Sequence, residues 1–190
     1  MKWQLKENKM KLKYHASVIF HAFMLLLMSF LGVFLVPIAY LTRNKESNKF
    51  QSLFYWWGND KNGIYTVSKY LPSWIKAHSL FDCYYWTAIR NPARNFSSKY
   101  LGYETKNIVS FEVLKEGKFG ESDITTIVKS KDKEYPMMYM YRPLFGDWKF
   151  ILKYGWKNWD LNTKDANLDE FKQKNEFISF VCYPQIRKMM

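Results

Sequence analysis

Residues 16–41 read ASVIFHAFMLLLMSFLGVFLVPIAYL, and this stretch of 26 residues contains no charged side chain. A helix needs about 20 apolar residues to cross the hydrocarbon core of a bilayer. The clearly polar side chains are Ser17, His21 and Ser29, and a serine hydroxyl can donate to a helix carbonyl one turn earlier. Pro37 lies near the end, where a kink is tolerated. The sequence therefore predicts a transmembrane helix over residues 16–41.

Two other interpretations of this stretch are less favoured. A cleaved signal peptide has an apolar region of about 7–15 residues that ends in a small-x-small site. Here the apolar run is longer and ends in Val36-Pro37-Ile38-Ala39-Tyr40. A buried helix of a soluble domain would carry a polar stripe, and none is present. We therefore favour an uncleaved membrane anchor.

The positive charge of the chain lies mostly in its N-terminal half. The formal net charge is +12; residues 1–41 hold five Lys and one Glu, residues 42–106 hold ten basic and four acidic residues, and residues 107–190 hold fourteen and twelve. This distribution fits an anionic membrane surface or a nucleic acid, and equally a solvated basic surface that binds neither. Beside an apolar helix, the partners we expect are the lipid bilayer and its anionic headgroups, not nucleic acid.

The basic residues that flank the apolar stretch bear on its orientation. Cytoplasmic flanks of membrane helices carry an excess of Lys and Arg. Five lysines precede the stretch, and Arg43, Lys45 and Lys49 follow it. This asymmetry places the N-terminus in the cytoplasm and the body in the periplasm. The later basic residues, from Lys61 to Lys106, favour the opposite orientation.

The chain has two cysteines, Cys83 and Cys182, each within an aromatic run. Neither belongs to a CxxC or His-paired pattern, which argues against zinc. We interpret both as buried thiols that act as small apolar side chains. In an oxidising compartment they could pair if their Cα atoms lay within about 7 Å. No metal or cofactor is predicted.

A second aromatic stretch, FYWWGNDKNGIY at residues 54–65, follows the apolar helix after about a dozen positions. Trp and Tyr favour the boundary between lipid and water, where the ring is apolar and its N–H or O–H stays hydrated. Tyr55, Trp56 and Trp57 are therefore candidate membrane-interface residues. The alternative is that they fill the core of the next domain.

The polar residues 58–63 that end this stretch predict a turn, since Gly and Asn tolerate positive φ. Asn59 and Asp60 are candidate binding residues in that turn. Aligning it with an EF-hand loop places Asp60 at a ligand position. The same alignment puts Gly58 first and Lys69 where a bidentate glutamate is needed, so calcium binding is not predicted.

Two helices are predicted after this turn, the first over residues 73–89 and the second over residues 92–100. Asn91 is interpreted as the N-cap of the second helix, with Pro92 at its first position. Gly102 is a natural stop after it.

Arg90, Arg94 and Asn95 cluster in sequence at the predicted joint between these helices. A functional interpretation makes them a clamp for a phosphate or a lipid headgroup, because an Arg fork matches such oxygens. The structural interpretation, which we favour, has them capping carbonyls and forming ion pairs inside the domain.

From residue 107 onward, apolar and polar residues alternate as they do in strands. Val109, Phe111 and Val113 would share one face, and Trp148, Phe150, Leu152 and Tyr154 another such face. Four or five strands with short turns indicate an antiparallel meander. The predicted fold is therefore α+β: a transmembrane helix, a short helical pair and this sheet. The predicted segments are a basic tail at 1–15, the helix at 16–41, an aromatic linker at 42–72 and a body at 73–190.

No catalytic motif stands out in the sequence. Outside the apolar helix and its flank, the chain has one histidine, His78, and it has no GxSxG, HExxH, P-loop or GxGxxG pattern. Scattered carboxylates can still meet in space, so enzymatic activity is improbable rather than excluded.

The order of three features resembles a family of small, uncharacterised membrane proteins encoded by tailed bacteriophages. These features are the apolar anchor with Val36-Pro37-Ile38-Ala39, the stretch Trp57-Gly58-Asn59-Asp60-Lys61-Asn62-Gly63, and the stretch Trp86-Thr87-Ala88-Ile89-Arg90-Asn91-Pro92-Ala93-Arg94-Asn95. The last two resemble the family patterns WxNDxxG and WLAIRNPxxN. The family's turn is usually more acidic than this one. The resemblance implies phage origin and a membrane location, and it implies no known activity.

We accordingly expect a membrane-anchored accessory protein of a phage, which would modify the host envelope or exclude superinfecting phage. A component of the virion or of its assembly is the first alternative. An enzyme that acts on lipid or nucleotide at the membrane surface is the second. A protein partner in the host envelope or in the phage is consistent with each of the first two.

Overall fold

The computed structural model describes the backbone of residues 2–60, 63–118 and 121–188, and the side chains of these ranges from His15 onward. The lysine side chains of the basic tail, and Lys61 and Asn62 of the predicted turn, therefore lie outside the described residues. The chain forms two compact units. The first comprises Met1–Ala22 and Gly102–Met190, and the second comprises Phe23–Leu101. The boundaries of these two units differ from the boundaries of the four segments expected from the sequence.

The N-terminal helix α1 spans Lys2–Leu41. Within it, the 27 residues His15–Leu41 are long and apolar enough to cross a membrane, as the sequence predicts. The Ser29 hydroxyl donates to the Leu25 carbonyl over 2.6 Å. This bond satisfies the hydroxyl inside the helix, so it needs no partner from water.

In the second unit, one face of α1 is covered by protein and the opposite face is not. The covered residues include Gly32, Val36 and Ala39. They follow the three- and four-residue spacing of a single helix stripe. The large apolar side chains that remain exposed are Phe23, Leu26, Leu27, Phe30, Leu31, Val33, Phe34, Ile38 and Leu41. The helix is apolar on every side, and packing rather than polarity distinguishes its two faces.

Trp57 covers α1 at the level of Gly32. It ends a 3₁₀ helix over Ser52–Trp57, and its side chain is 6% exposed. Its indole N–H donates to the Met28 carbonyl over 2.8 Å. A Cβ built on Gly32 would lie 2.8 Å from Trp57 Cδ1, closer than real Cβ contacts. Gly32 is therefore the residue that lets the indole reach the helix backbone.

The first of the two predicted short helices begins later than expected. Helix α2 spans Leu80–Tyr84 and continues as a π-helix over Tyr85–Arg90, so the predicted start at residue 73 is wrong. Ser79 is the N-cap, and its side-chain oxygen accepts from the Asp82 N–H over 3.2 Å. The residues before Ser79 form turns. Serine followed three residues later by an acidic residue is a capping signal that the sequence contained.

Asn91 does not cap the second short helix, which corrects the prediction from the Asn-Pro pair. Asn91 follows the π-helix and has a φ of −130°. The nitrogen of its side-chain amide is buried and has no hydrogen-bond partner among the described residues. Ala93 makes the turn instead, with a φ of +47° that non-glycine residues seldom adopt. A second π-helix, Phe96–Tyr100, follows it.

The first unit is built on strands. A small antiparallel pair joins β1 (Tyr103–Glu104) to β6 (Phe177–Ile178), and the short helix α3 covers Leu168–Lys174. The other strands form one antiparallel sheet in the order β2-β3-β4-β5-β7. Their bounds are Ile108–Lys115, Ile124–Ser130, Glu134–Pro143, Trp148–Trp156 and Phe180–Lys188. The α+β class and the five-stranded antiparallel sheet are confirmed.

The predicted inward face of β5 is wrong. Ile151, which alternates with the expected inward residues Phe150 and Leu152 and should therefore face away from the core, is buried in a cluster with Ile124, Met137 and Tyr139. Lysines share this face because their cationic ends lie over aromatic rings, as Lys153 does over Trp159 at 4.8 Å.

The opposite face of β5 is also apolar. There, Trp156 and Phe180 of the neighbouring strand contact His21 of α1, with ring centroids 5.1 and 5.4 Å away. Because both faces of β5 are covered, the alternation of apolar and polar residues could not show which face points into the core.

The predicted inward face of β2 is also wrong at the start of the strand. Val109, predicted to point inward with Val113, is exposed, whereas Val113 is buried. The register of β2 against β3 shifts between Ile108 and Ser110, and this irregularity turns Val109 outward.

The close approach of Trp57 to Gly32 predicts the effect of adding a side chain there. Valine is a better helix former than glycine, so propensity alone would stabilise the Gly32→Val variant. We expect destabilisation instead, by about 1–3 kcal/mol of unfolding free energy, because the new side chain displaces the indole. Thermal unfolding in detergent, followed by near-UV circular dichroism, measures the change. Val33→Leu on the exposed face is the matched control, and equal melting temperatures for the two variants would contradict the packing.

Candidate functional site

Two stretches of the chain, residues 57–63 and residues 86–95, meet at one residue, Asn95. Its side-chain carbonyl accepts from the Asp60 backbone N–H over 3.1 Å, and its amide donates to the Asp60 carboxylate over 3.0 Å. The same amide also donates to the Tyr55 carbonyl over 3.0 Å. The Asn95 backbone N–H donates to the Gly58 carbonyl over 3.1 Å. Asn95 thus makes four hydrogen bonds, with Tyr55, Gly58 and Asp60, that hold the polar turn against the end of the aromatic stretch.

Asp60 receives two further partners. The Tyr55 hydroxyl donates to it over 2.8 Å, and the Lys99 ammonium lies 3.6 Å away. Burial alone would raise the pKa of Asp60. The hydrogen bonds from Tyr55 and Asn95 and the charge of Lys99 outweigh burial and hold its pKa below the usual value. Burial and the neighbouring carboxylate raise the pKa of Tyr55 to about 12. Asp60 is therefore an ionised carboxylate whose oxygens are engaged.

The described ends of the predicted turn, Asn59 and Gly63, are hydrogen-bonded to each other, and Gly63 has the positive φ that was expected. The Gly63 N–H donates to the Asn59 carbonyl over 2.7 Å, and Gly63 adopts a φ of +71°. Asn59 is buried, whereas Asp60 is exposed at the rim. Beside them lies a cavity of about 210 Å³. It is lined by Lys49, Phe50, Tyr55, Gly58, Asn59, Asp60, Gly63, Ile64 and Asn95.

The two arginines of the predicted clamp do not line this cavity. The Arg90 guanidinium lies 4.4 Å above the Tyr70 ring, in a cation–π contact. Arg94 is half-buried, and desolvation lowers the pKa of its guanidinium. Asn95, the third member of the predicted clamp, is committed to Asp60 and Tyr55. Arg90, Arg94 and Asn95, which are close in sequence, therefore do not form a shared clamp at this cavity.

The three candidate membrane-interface residues, Tyr55, Trp56 and Trp57, also lie in different surroundings. Trp57 is buried against α1 with its N–H bonded to protein, so it does not present a hydrated N–H at the lipid boundary as predicted. Trp56 is partly exposed and contacts the rings of Phe96 and Tyr100, both at 6.0 Å. For Tyr55 and Trp56, contact with the membrane boundary stays a prediction.

Sequence reasoning missed a buried carboxylate. Asp82 is fully buried, and its two oxygens accept the backbone N–H groups of Thr66 and His78 over 2.9 and 2.8 Å. His78 stacks on Tyr65 with ring centroids 4.8 Å apart. These bonds give Asp82 a structural role, since backbone N–H groups satisfy both of its oxygens. The capping signal before α2 was the available clue.

A larger cavity, of about 370 Å³, lies in the first unit. It is mainly apolar, its lining includes Val18, Ile127 and Met138, and no predicted site residue reaches it. Among the side chains that the structure describes, from His15 onward, no group of three or more His, Cys, Asp or Glu could hold a metal ion. Cys83 and Cys182 are both free thiols, and burial raises the pKa of Cys83 to about 12.

Comparison with known protein families identifies the family to which the chain belongs. A family described as a family of unknown function, DUF7338, matches residues 10–188. The chain belongs to this family. No curated protein and no solved structure matches the chain. The match extends over both compact units, and it assigns no activity to the Asn95–Asp60 cluster.

The hydrogen bonds of Asn95 predict a stability effect that separates it from its neighbour Asn91. Asn95→Ala leaves the Asp60 N–H and the Tyr55 carbonyl without their partner, so unfolding free energy should fall by about 1–3 kcal/mol. Asn91→Ala is the matched control, because the structure shows no cap at Asn91, and it should cost less than about 0.5 kcal/mol. Thermal unfolding of both variants measures this. If Asn91→Ala proved as destabilising as Asn95→Ala, the capping role of Asn91 would be restored.

Proposed function

We propose that this protein is a phage-encoded accessory protein, anchored in the host inner membrane, that modifies the host envelope or excludes superinfecting phage. The observation that carries the proposal is α1, whose 27-residue apolar stretch His15–Leu41 keeps a broad face of large apolar side chains exposed. Such a face is costly in water and favourable in lipid. The resemblance of the two motif stretches to phage membrane proteins supports the phage origin.

Within the first unit, His21 near the start of the apolar stretch contacts Trp156 and Phe180 of the sheet, which favours a sheet on the N-terminal side of the helix. From the flanking charges we nevertheless propose a single pass, with the N-terminus in the cytoplasm and the body in the periplasm. Five lysines before the apolar stretch support it through the positive-inside rule. The net positive charge of the second unit supports contact with anionic headgroups. That unit holds nine Lys and Arg residues against three acidic ones.

The role is tested by infection. Bacteria that express the protein before infection should show reduced plating of the cognate phage, while bacteria with an empty vector should not. The matched control is a double variant, Leu26→Lys with Leu27→Lys, that cannot enter the bilayer. Equal plating with and without the protein would contradict an exclusion role. Finding the protein in purified particles by mass spectrometry would identify a virion component instead.

The same double variant tests the anchor. The wild-type protein should remain with membranes after a carbonate wash. Leu26→Lys with Leu27→Lys should release it, because each charge at the helix centre costs about 2.5–3.5 kcal/mol on insertion scales. Glu46→Lys with Ser47→Lys, just beyond the helix, is the control and should stay bound. Release of the wild-type protein would contradict membrane anchoring.

A fusion tests the orientation. Alkaline phosphatase joined after Met190 should be active, since the enzyme folds only where its disulfides form, and that compartment is the periplasm. A cytoplasmic reporter at the same position should be inactive. The reverse result would place the body in the cytoplasm.

A further inference from the structure

The cavity of about 370 Å³ in the first unit follows a row of side chains that crosses the sheet. Lys115 of β2 pairs with Thr125 of β3. Thr125 also pairs with Met138 of β4, and Met138 pairs with Tyr154 of β5. All four line the cavity, and paired residues of antiparallel strands lie on the same face of a sheet. The row covers three strand spacings of about 4.8 Å each, which is about 14 Å in total.

The dimensions and surroundings of the cavity suit one hydrocarbon chain. A volume of about 370 Å³ over a length of about 14 Å corresponds to a width of about 5 Å. Carbon atoms of neighbouring groups pack about 4 Å apart, so this width admits one extended chain but not two side by side. Val18 of α1 and Ile127 of β3 line the cavity and are 3% and 6% exposed. Each methylene group that leaves water for such surroundings gains transfer free energy.

The two ends of the row differ in charge. Lys115 lies at the β2 end, on an edge strand of the sheet, and is exposed. At the β5 end, the His15 ring stacks on Tyr154 with ring centroids 6.5 Å apart. An ammonium group therefore lies at one end of the row and an aromatic pair at the other. A chain with an anionic head would place that head at β2.

The charge at the β2 end is not cancelled by its acidic neighbour. The Lys115 ammonium lies 3.1 Å from the Asp123 carboxylate, and the Arg142 guanidinium lies 2.6 Å from the same carboxylate. Two cations thus share one anion. An ammonium group has three N–H donors, so Lys115 can donate to a second acceptor while it keeps Asp123.

We propose that this cavity binds one acyl chain that carries an anionic head, as in a fatty acid or a lysophospholipid. The chain lies along the row from Thr125 to Tyr154 and against Val18, and the head accepts hydrogen bonds from Lys115. All of these residues belong to the first unit, so the site forms whichever side of the membrane the body occupies.

Photolabelling of the full-length protein in detergent micelles tests the site. The probe is dodecanoic acid with a diazirine at the end of its chain, because a chain of this kind is about as long as the row. Labelled residues are mapped by mass spectrometry. Excess dodecanoic acid and excess lauroyl-lysophosphatidylglycerol are the competitors.

We expect labelling at Tyr154 and Val18 that the competitors displace. The stronger competitor identifies the preferred head as a carboxylate or a phosphate, and either result supports the site. Probe dissolved in the micelle will also label the exposed face of α1 at Phe30, and excess competitor should not displace that labelling. Labelling of Tyr154 and Val18 that neither competitor displaces would overturn the site.

A substitution that fills the cavity gives the second test. Met138→Trp should abolish the displaceable labelling at Tyr154 and Val18. Met140→Trp is the matched control, because Met140 lies on the same face of the same strand and does not line the cavity. It should label as the wild type does. Equal labelling of Met138→Trp and Met140→Trp would contradict binding in the cavity.

Lys115→Gln tests the head and leaves the cavity open, since the side chain is exposed and the fold does not depend on it. Dodecanoic acid should compete about tenfold more weakly in this variant, because a charge-assisted hydrogen bond is lost. Neutral dodecanol should compete equally in the variant and the wild type. An unchanged response to dodecanoic acid would overturn the role of Lys115 in binding an anionic head.

Discussion

The bond between the Trp57 indole and the Met28 carbonyl is the contact on which the second unit depends. It is possible because Gly32 has no side chain where the indole lies. Without that contact, the aromatic stretch after α1 would lose its hydrogen bond to the middle of the helix. With it, the chain that leaves α1 at Leu41 returns to the middle of the helix. The 3₁₀ helix Ser52–Trp57 is thereby fixed, and with it the start of the polar turn.

From that contact the structure extends to the second motif stretch. The turn after Trp57 is held by Asn95, which satisfies the backbone of Tyr55, Gly58 and Asp60 together. Two stretches that are 22 residues apart in the chain, residues 57–63 and residues 86–95, thus form one joint rather than two sites. The ionised Asp60 accepts hydrogen bonds from Tyr55 and Asn95 and lies beside Lys99. In this arrangement its charge orders the joint and stabilises the fold.

The sequence predicted what depends on local pattern and failed where tertiary contacts decide. The apolar run and the alternating strands sufficed for an α+β fold with one long helix. Alternation could not reveal that Ile151 is buried, because both faces of β5 are covered. The Asn-Pro pair suggested a cap at Asn91, whereas a left-handed Ala93 makes the turn. Asn95 was singled out, but its partner Asp60 is 35 residues away, and no local pattern encodes that pairing.

The central claim, that Trp57 is fastened to the backbone of α1, is tested most directly by the indole hydrogen itself. Hydrogen exchange of the Trp57 indole can be followed by NMR on protein labelled with ¹⁵N-tryptophan, and its signal is assigned by its loss in Trp57→Phe. The bond to Met28 predicts slow exchange in the wild-type protein and faster exchange in Gly32→Val, where the indole is displaced. Equally fast exchange in both proteins would contradict the account.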